Sequence, residues 1–177
     1  MFIRSSHPKT EIQPDPQAIR RVLDQGWWGQ IKIHGHRAQI HIPSNAEEPI
    51  IVYTRQGGLH KKQMDQAMMA DLRRLFQPTE GWNVIEAEWL KPLSRLFIFD
   101  FLKREGQALS NKTYSERYDY IPKIFSSDYI ETLPLYKSVA KCLEVLDSPE
   151  SYVEGLVFKA PHSPGFSDTS IIRCRRR

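Results

Sequence analysis

The stretch Ile31–His41, IKIHGHRAQIH, decides how this chain is read. Ile31 and Ile33 lie on one side with Lys32 and His34 on the other, and after Gly35 the apolar side passes to Ala38, Ile40 and Ile42. Alternation with a period of two marks half-buried strands, so the stretch predicts strand, break, strand, with Lys32 just before the break. A primary amine in that position can act as a nucleophile on phosphorus. Gly35 would let the backbone approach a phosphate, and Arg37 supplies a fixed guanidinium close by. Taken alone, a strand lysine is more often a solvated surface group, so the weight rests on what surrounds it.

Upstream, residues 1–27 form a lead-in segment punctuated by Pro8, Pro14 and Pro16, with a short helix predicted over Gln17–Gln25 from Ile19, Val22 and Leu23. Downstream, a strand over Ile50–Thr54 ends at Gly57 and Gly58. A helix follows in which Met64, Ala67, Met68, Leu72 and Leu75 recur at three- and four-residue spacing. Strands are predicted at Trp82–Leu90 and Leu96–Leu102, helices at Ser115–Phe125 and Leu135–Leu146, and strands at Tyr152–Ala160 and Ser170–Arg175. Six or so strands and about four helices, in an order too irregular for βαβ repetition, predict an α+β fold of two mostly antiparallel sheets flanked by helices. Residues 1–177 are read as a single domain.

The 177 residues are 40% hydrophobic and 26% charged, the composition of a globular chain and not of a disordered tail. No apolar run reaches the roughly 18–20 residues of a membrane span, and Met1–Thr10 carries no apolar signal core, so a cytoplasmic protein with no membrane partner is expected. Cys142 and Cys174 fit neither a disulfide framework nor a zinc pattern. The net charge of +4 permits a polyanionic partner, and four arginines among the last five residues, Arg173, Arg175, Arg176 and Arg177, favour phosphate contact as much as they do a solvated tail.

The segment from Lys32 to Arg37 resembles motif I of the covalent nucleotidyltransferases, the superfamily of ATP-dependent DNA ligases, RNA ligases and mRNA capping enzymes. Further elements follow in the family's order. YTRQGG (Tyr53–Gly58) is similar to the Ser/Thr-Arg-Asn-Gly element, VIEAEWL (Val84–Leu90) to the strand that ends in a site glutamate, and LFIFDFL (Leu96–Leu102) to motif III. YSERY (Tyr114–Tyr118) resembles the element after motif III, EGLVFK (Glu154–Lys159) motif IV, and IIRCR (Ile171–Arg175) stands where motif V has two lysines.

The resemblance implies a ligase nucleotidyltransferase domain of ATP-grasp-like type, here without an OB-fold domain, that adenylates Lys32. It implies nucleotide contacts from Arg37, Arg55, Glu88, Phe99, Glu154, Lys159, Arg173 and Arg175, with Phe99 as adenine platform although Phe97 and Phe101 share its strand face. Glu154 and Glu88 are the expected ligands of Mg2+ or Mn2+, since magnesium needs only one or two carboxylates beside phosphate oxygens. Glu86 reads as an exposed face residue. Arg176 and Arg177 are expected to hold nucleic acid. The implied reaction seals a 5′-phosphate to a 3′-hydroxyl, in nicked DNA or another nucleic acid, by a monomer or with a separate protein supplying the missing OB-like function.

His34 stands where the family has aspartate and resembles the KIHG sequence of one RNA ligase branch, which keeps an ATP-dependent RNA ligase open. A catalytically idle nucleic-acid-binding relative is a third reading. His34 and His36 alone make an incomplete metal site.

Overall fold

The computed structural model describes residues 1–177. In chain order its elements are β1 (Thr10–Glu11), α1 (Pro16–Asp24), β2 (Trp28–Ile33), β3 (His36–Pro43), β4 (Ile51–Tyr53), α2 (Gln66–Phe76) and β5 (Trp82–Leu90). There follow β6 (Arg95–Arg104), β7 (Gln107–Ala108), α3 (Tyr114–Asp119), β8 (Ile130–Thr132), α4 (Val139–Leu146), β9 (Val153–Lys159) and β10 (Ile171–Arg175). They divide into two compact units. One comprises Ser5–His34, Thr113–Ser115 and Leu133–Arg177 and holds a four-stranded sheet in the order β1-β10-β9-β2. The other comprises Met1–Arg4, Gly35–Lys112 and Glu116–Thr132 and holds six strands, β4-β3-β5-β6-β7 with β8 beside β6. Only β1 with β10 and β6 with β8 run parallel. The α+β expectation of two mostly antiparallel sheets with helices therefore describes the chain. Three strands went unread because β1, β7 and β8 are two or three residues long, too short to show a period.

In the four-stranded unit, Asp15 caps α1 by accepting from the Ala18 amide at 2.9 Å, and Pro16 occupies the first turn, where its missing N–H costs nothing. The helix buries Ile19 and Val22 against Cys142 and Val145 of α4 and against Val153, Leu156, Phe158 and Cys174 of the sheet. Each such aliphatic side chain contributes about 1.5–3 kcal/mol by leaving water. This fixes which face of the sheet is core: Leu156, Phe158 and Cys174 point at the helices. The alternate residues Gln30, Lys32, Val157, Lys159, Arg173 and Arg175 belong to the opposite face. Helix α4 begins at Val139, four residues later than the periodicity predicts. Ser138 caps it, and the preceding Tyr136 exchanges backbone hydrogen bonds with Gly29 of β2 at 2.7 and 2.8 Å.

In the six-stranded unit, β5 lies between β3 and β6. Met68, Leu72 and Phe76 of α2 are buried, as is Met64 just before it, which makes the methionines core; Ala67 is exposed. The helix predicted over Ser115–Phe125 stops at Asp119, because Pro122 lacks a donor and biases Ile121 away from helical dihedrals. The break at Gly35 is also larger than a turn. The chain leaves one sheet at Ile33 and enters the other at His36, so His34 and His36 do not share a strand. A Cβ on Gly35 would lie 2.8 Å from the Trp89 carbonyl oxygen and 3.2 Å from Glu88 Cγ, so in this structure the glycine is required by its neighbouring strand.

Candidate functional site

Lys32 of β2 pairs with Gly155 of β9, and Gly155 pairs in turn with Arg175 of β10. Lys32 and Arg175 thus flank a position that has no side chain. The next pairing of β2 is Ile33 with Val153, so the register slips by one and Glu154 becomes an extra residue on β9. An unslipped ladder would put Glu154 opposite Ile33, on the helix side. The slip re-aims it, and its Oε2 accepts from Lys32 Nζ at 2.6 Å, with His34 Nδ1 3.5 Å away. Burial pushes the Glu154 carboxyl up, but the hydrogen bond and charge of Lys32, joined by His34, outweigh it and hold the group below its ordinary value. Gly155 has φ +150°, and a Cβ there would fall 2.2 Å from the Cys174 carbonyl oxygen, so no side chain fits between Lys32 and Arg175.

Arg173 and Arg175 project from one side of β10, as their two-residue spacing predicts, and both donate to Glu11 of β1. Lys159 is buried on the same face of β9. Its Nζ lies 4.3 Å from the Tyr114 ring centroid and donates to Tyr114 Oη at 3.2 Å, and Gln30 of β2 donates to the same oxygen at 3.2 Å. Arg176, expected to hold nucleic acid, is engaged within the chain. Its guanidinium donates to the carbonyls of Ser148 and Glu150 at 2.7 and 2.9 Å, tying down the chain after α4, while Arg177 is exposed.

The six-stranded unit carries the remaining candidates. Between the pairs Glu86–Asp100 and Ala87–Ile98 the register slips again, and Phe99 is the extra residue. Phe97 and Phe101 are buried and Phe99 is not; Phe101 packs against Phe76 of α2, with ring centroids 6.2 Å apart. The three phenylalanines therefore do not share a face. The Arg37 guanidinium lies over the Phe99 ring, 5.1 Å from its centroid, and its Nε is 3.8 Å from Glu86 Oε2. Glu86 is 1% exposed and accepts from Gln39 Nε2 at 3.1 Å, which corrects its reading as a surface residue. The signal was present: Glu86 has the same strand parity as Glu88. Glu88 pairs with Arg37 across β5 and β3 and is half-buried. Arg55, on the exposed turn after β4, helps line an open groove of 470 Å³ with His36, Arg37, His60, Lys61 and Lys91. Sequence reading also passed over Glu11 and Gln30, and it met Tyr114 only as the first residue of the YSERY element, with no site role given to it.

No group of three or more His, Cys, Asp or Glu side chains stands together to hold a metal ion. Glu154 fits as one carboxylate beside phosphate oxygens, the arrangement magnesium tolerates.

A lysine held by a bulged glutamate on one face of an antiparallel sheet, with basic residues on adjoining strands, lies in a chain that has the fold of the ATP-dependent ligase nucleotidyltransferase domain. The chain is similar to mycobacterial DNA ligase D complexed with ATP and MES, at 17% identity and TM-score 0.53, covering 85% of this chain and 55% of that one. It is also similar to the ligase domain of M. tuberculosis LigD (18%, TM-score 0.52, 83% and 53%) and to the structure Pmar-Lig_PreS3 (13%, TM-score 0.60, 99% and 47%). At these identities the likeness is one of fold, and the chain spans about half the length of each structure. No family model matches the chain, and no curated protein matches it by sequence. No helix is long and apolar enough to cross a membrane.

Proposed function

We propose that this chain is the adenylating domain of an ATP-dependent polynucleotide ligase, with DNA as the favoured substrate. The observation that carries the reading is the Lys32–Glu154 pair at 2.6 Å, beside Arg175 across a side-chain-free Gly155. Attack on phosphorus needs the amine without its extra proton, and Glu154 Oε2 is the acceptor within reach of Nζ. Lys32 Nζ then forms a bond to the α-phosphorus of ATP as the bond from that phosphorus to the bridging oxygen breaks, and pyrophosphate leaves with the electron pair. Arg173, Arg175 and Lys159 offer positive charge to the phosphate oxygens, with Arg giving two-handed contacts that a lysine would not. A divalent ion, when bound, would neutralise phosphate charge, with Glu154 as its protein carboxylate and Glu88 as the second candidate.

In this reading Phe99 is the stacking surface for the adenine, held by the Arg37 guanidinium over the ring, and Arg55 adds positive charge on the same unit. The AMP next passes from Lys32 to a 5′-phosphate, and a 3′-hydroxyl attacks that phosphate and releases AMP.

Incubation with α-labelled ATP and magnesium tests the reading. The protein should gain an acid-labile AMP adduct and Lys32→Ala should not. An adduct that survives in Lys32→Ala overturns the assignment of the nucleophile, and its absence from the wild type supports an idle nucleic-acid-binding relative. Nicked DNA and nicked RNA offered separately to the charged protein decide between DNA ligase and the RNA ligase that the KIHG sequence resembles.

A further inference from the structure

We propose that Glu11 is a positioning residue for the nucleotide phosphates, acting through Arg175 and Arg173. The inference deepens the ligase reading and rests on it. Glu11 lies on a two-residue strand in parallel register with Arg173, and its carboxylate accepts three hydrogen bonds. Oε1 accepts from Arg175 Nε at 2.7 Å, and Oε2 accepts from Arg175 Nη2 at 2.9 Å and from Arg173 Nε at 3.2 Å.

A guanidinium has two edges that can grip an oxyanion with paired N–H groups, Nε–Nη2 and Nη1–Nη2. Glu11 takes the first edge of Arg175, which fixes the plane of the group and leaves Nη1 pointing away from the carboxylate. Arg173 is held by Nε alone, so both of its Nη atoms lie beyond the bond. Arg175 and Lys32 register with the same Gly155, so the group that Glu11 orients belongs to the row of the nucleophile.

Without the carboxylate, two long side chains would have to be ordered by the ligand, and that cost would come out of its affinity. The opposing effect is repulsion between Glu11 and phosphate. It is the smaller one here: the trio keeps a net charge of +1, and all three side chains are about a third to a half exposed, so solvent screens the repulsion. The hydrogen bonds from Arg175 hold the Glu11 carboxyl below its ordinary value.

The test is single-turnover AMP labelling over a series of ATP concentrations, with melting curves run alongside. In Glu11→Ala the half-saturating ATP concentration should rise roughly five- to tenfold while the maximal rate stays within about twofold, and Glu11→Gln should fall between. In an Arg173→Ala/Arg175→Ala background, Glu11→Ala should add nothing, because both residues it acts through are gone. An unchanged half-saturation in Glu11→Gln overturns the proposal, as does a fall, which would make Glu11 a competitor of phosphate. A full additional loss in the doubly substituted background also overturns it. Absence of any adduct in the wild type would remove the ligase reading beneath it, whereas a normal adduct with unmoved ATP dependence removes the role of Glu11 alone.

Discussion

Glu154 meets Lys32 because β9 carries one residue more than β2 at that point. The slip in register turns the carboxylate from the helix side of the sheet to the lysine side, where it closes to 2.6 Å. Phe99 is the extra residue of β6 in the other sheet. Each unit thus uses a local irregularity to re-aim one side chain that the proposed reaction would use, while the regular ladder on either side stays committed to the core.

Gly155→Ala should be among the most damaging single-methyl changes in the chain. The added Cβ would sit 2.2 Å from a backbone oxygen at φ +150°, and backbone cannot yield as a flexible side chain does. A loss of roughly 3 kcal/mol or more is expected, read as a large drop in melting temperature together with loss of AMP labelling.

Phe99 and Phe97 should separate function from folding. Phe99→Ala removes a half-buried ring and should melt closer to wild type than Phe97→Ala while its ATP dependence weakens about tenfold. Phe97 is 3% exposed, so Phe97→Ala should cost about 3–5 kcal/mol. With Phe99 as platform and the base edge read by neighbouring polar groups, GTP should label poorly in the wild type. Equal labelling by GTP would argue for the capping-enzyme branch.

His41 makes stability depend on mild acid. Burial, then the charges of the amino terminus and Lys103, push it from 6.5 down to about 4. Between those values the unfolded chain holds the extra proton, so this contribution is complete above pH 6.5 and is lost as pH falls toward about 4. The loss is on the order of 3 kcal/mol. Chemical denaturation of wild type and His41→Phe across that range should show a steeper decline in the wild type, and parallel curves would contradict the assignment.

Arg176 and Arg177 are neighbours with different work. Arg176→Ala removes two hydrogen bonds to carbonyls and should lower stability by about 1–2 kcal/mol without altering the salt dependence of binding to nicked DNA. Arg177→Ala should melt normally and flatten the log-log salt slope by about 0.9 if it reaches one phosphate. A frayed, solvated terminus predicts no change in either measurement for Arg177.

The sequence made the strand, break and strand around Lys32 and the core face of α2 legible, because both follow from periodicity within one segment. It did not make the bulges legible. A slip of register is a property of two strands, and alternation within β6 alone put Phe97, Phe99 and Phe101 on one side. Glu86 was misread for a related reason: nothing within β5 tells that Arg37 and Gln39 of β3 lie over it. Glu11 was missed because a strand of two residues has no pattern, and its partners lie 162 and 164 positions away.

That last separation bears on how the protein is made. β1 leaves the ribosome well before the strand it pairs with, which follows every other strand of its sheet, and the intervening chain includes nearly all of the six-stranded unit. The lysine is therefore synthesised long before its arginines. A nascent chain has Lys32, the proposed nucleophile, before the guanidiniums proposed to steady the phosphates, and the long closure that brings Glu11 to Arg173 and Arg175 should come among the slow steps of folding. On the proposed reading, competence to charge would then wait until β1 and β10 have met.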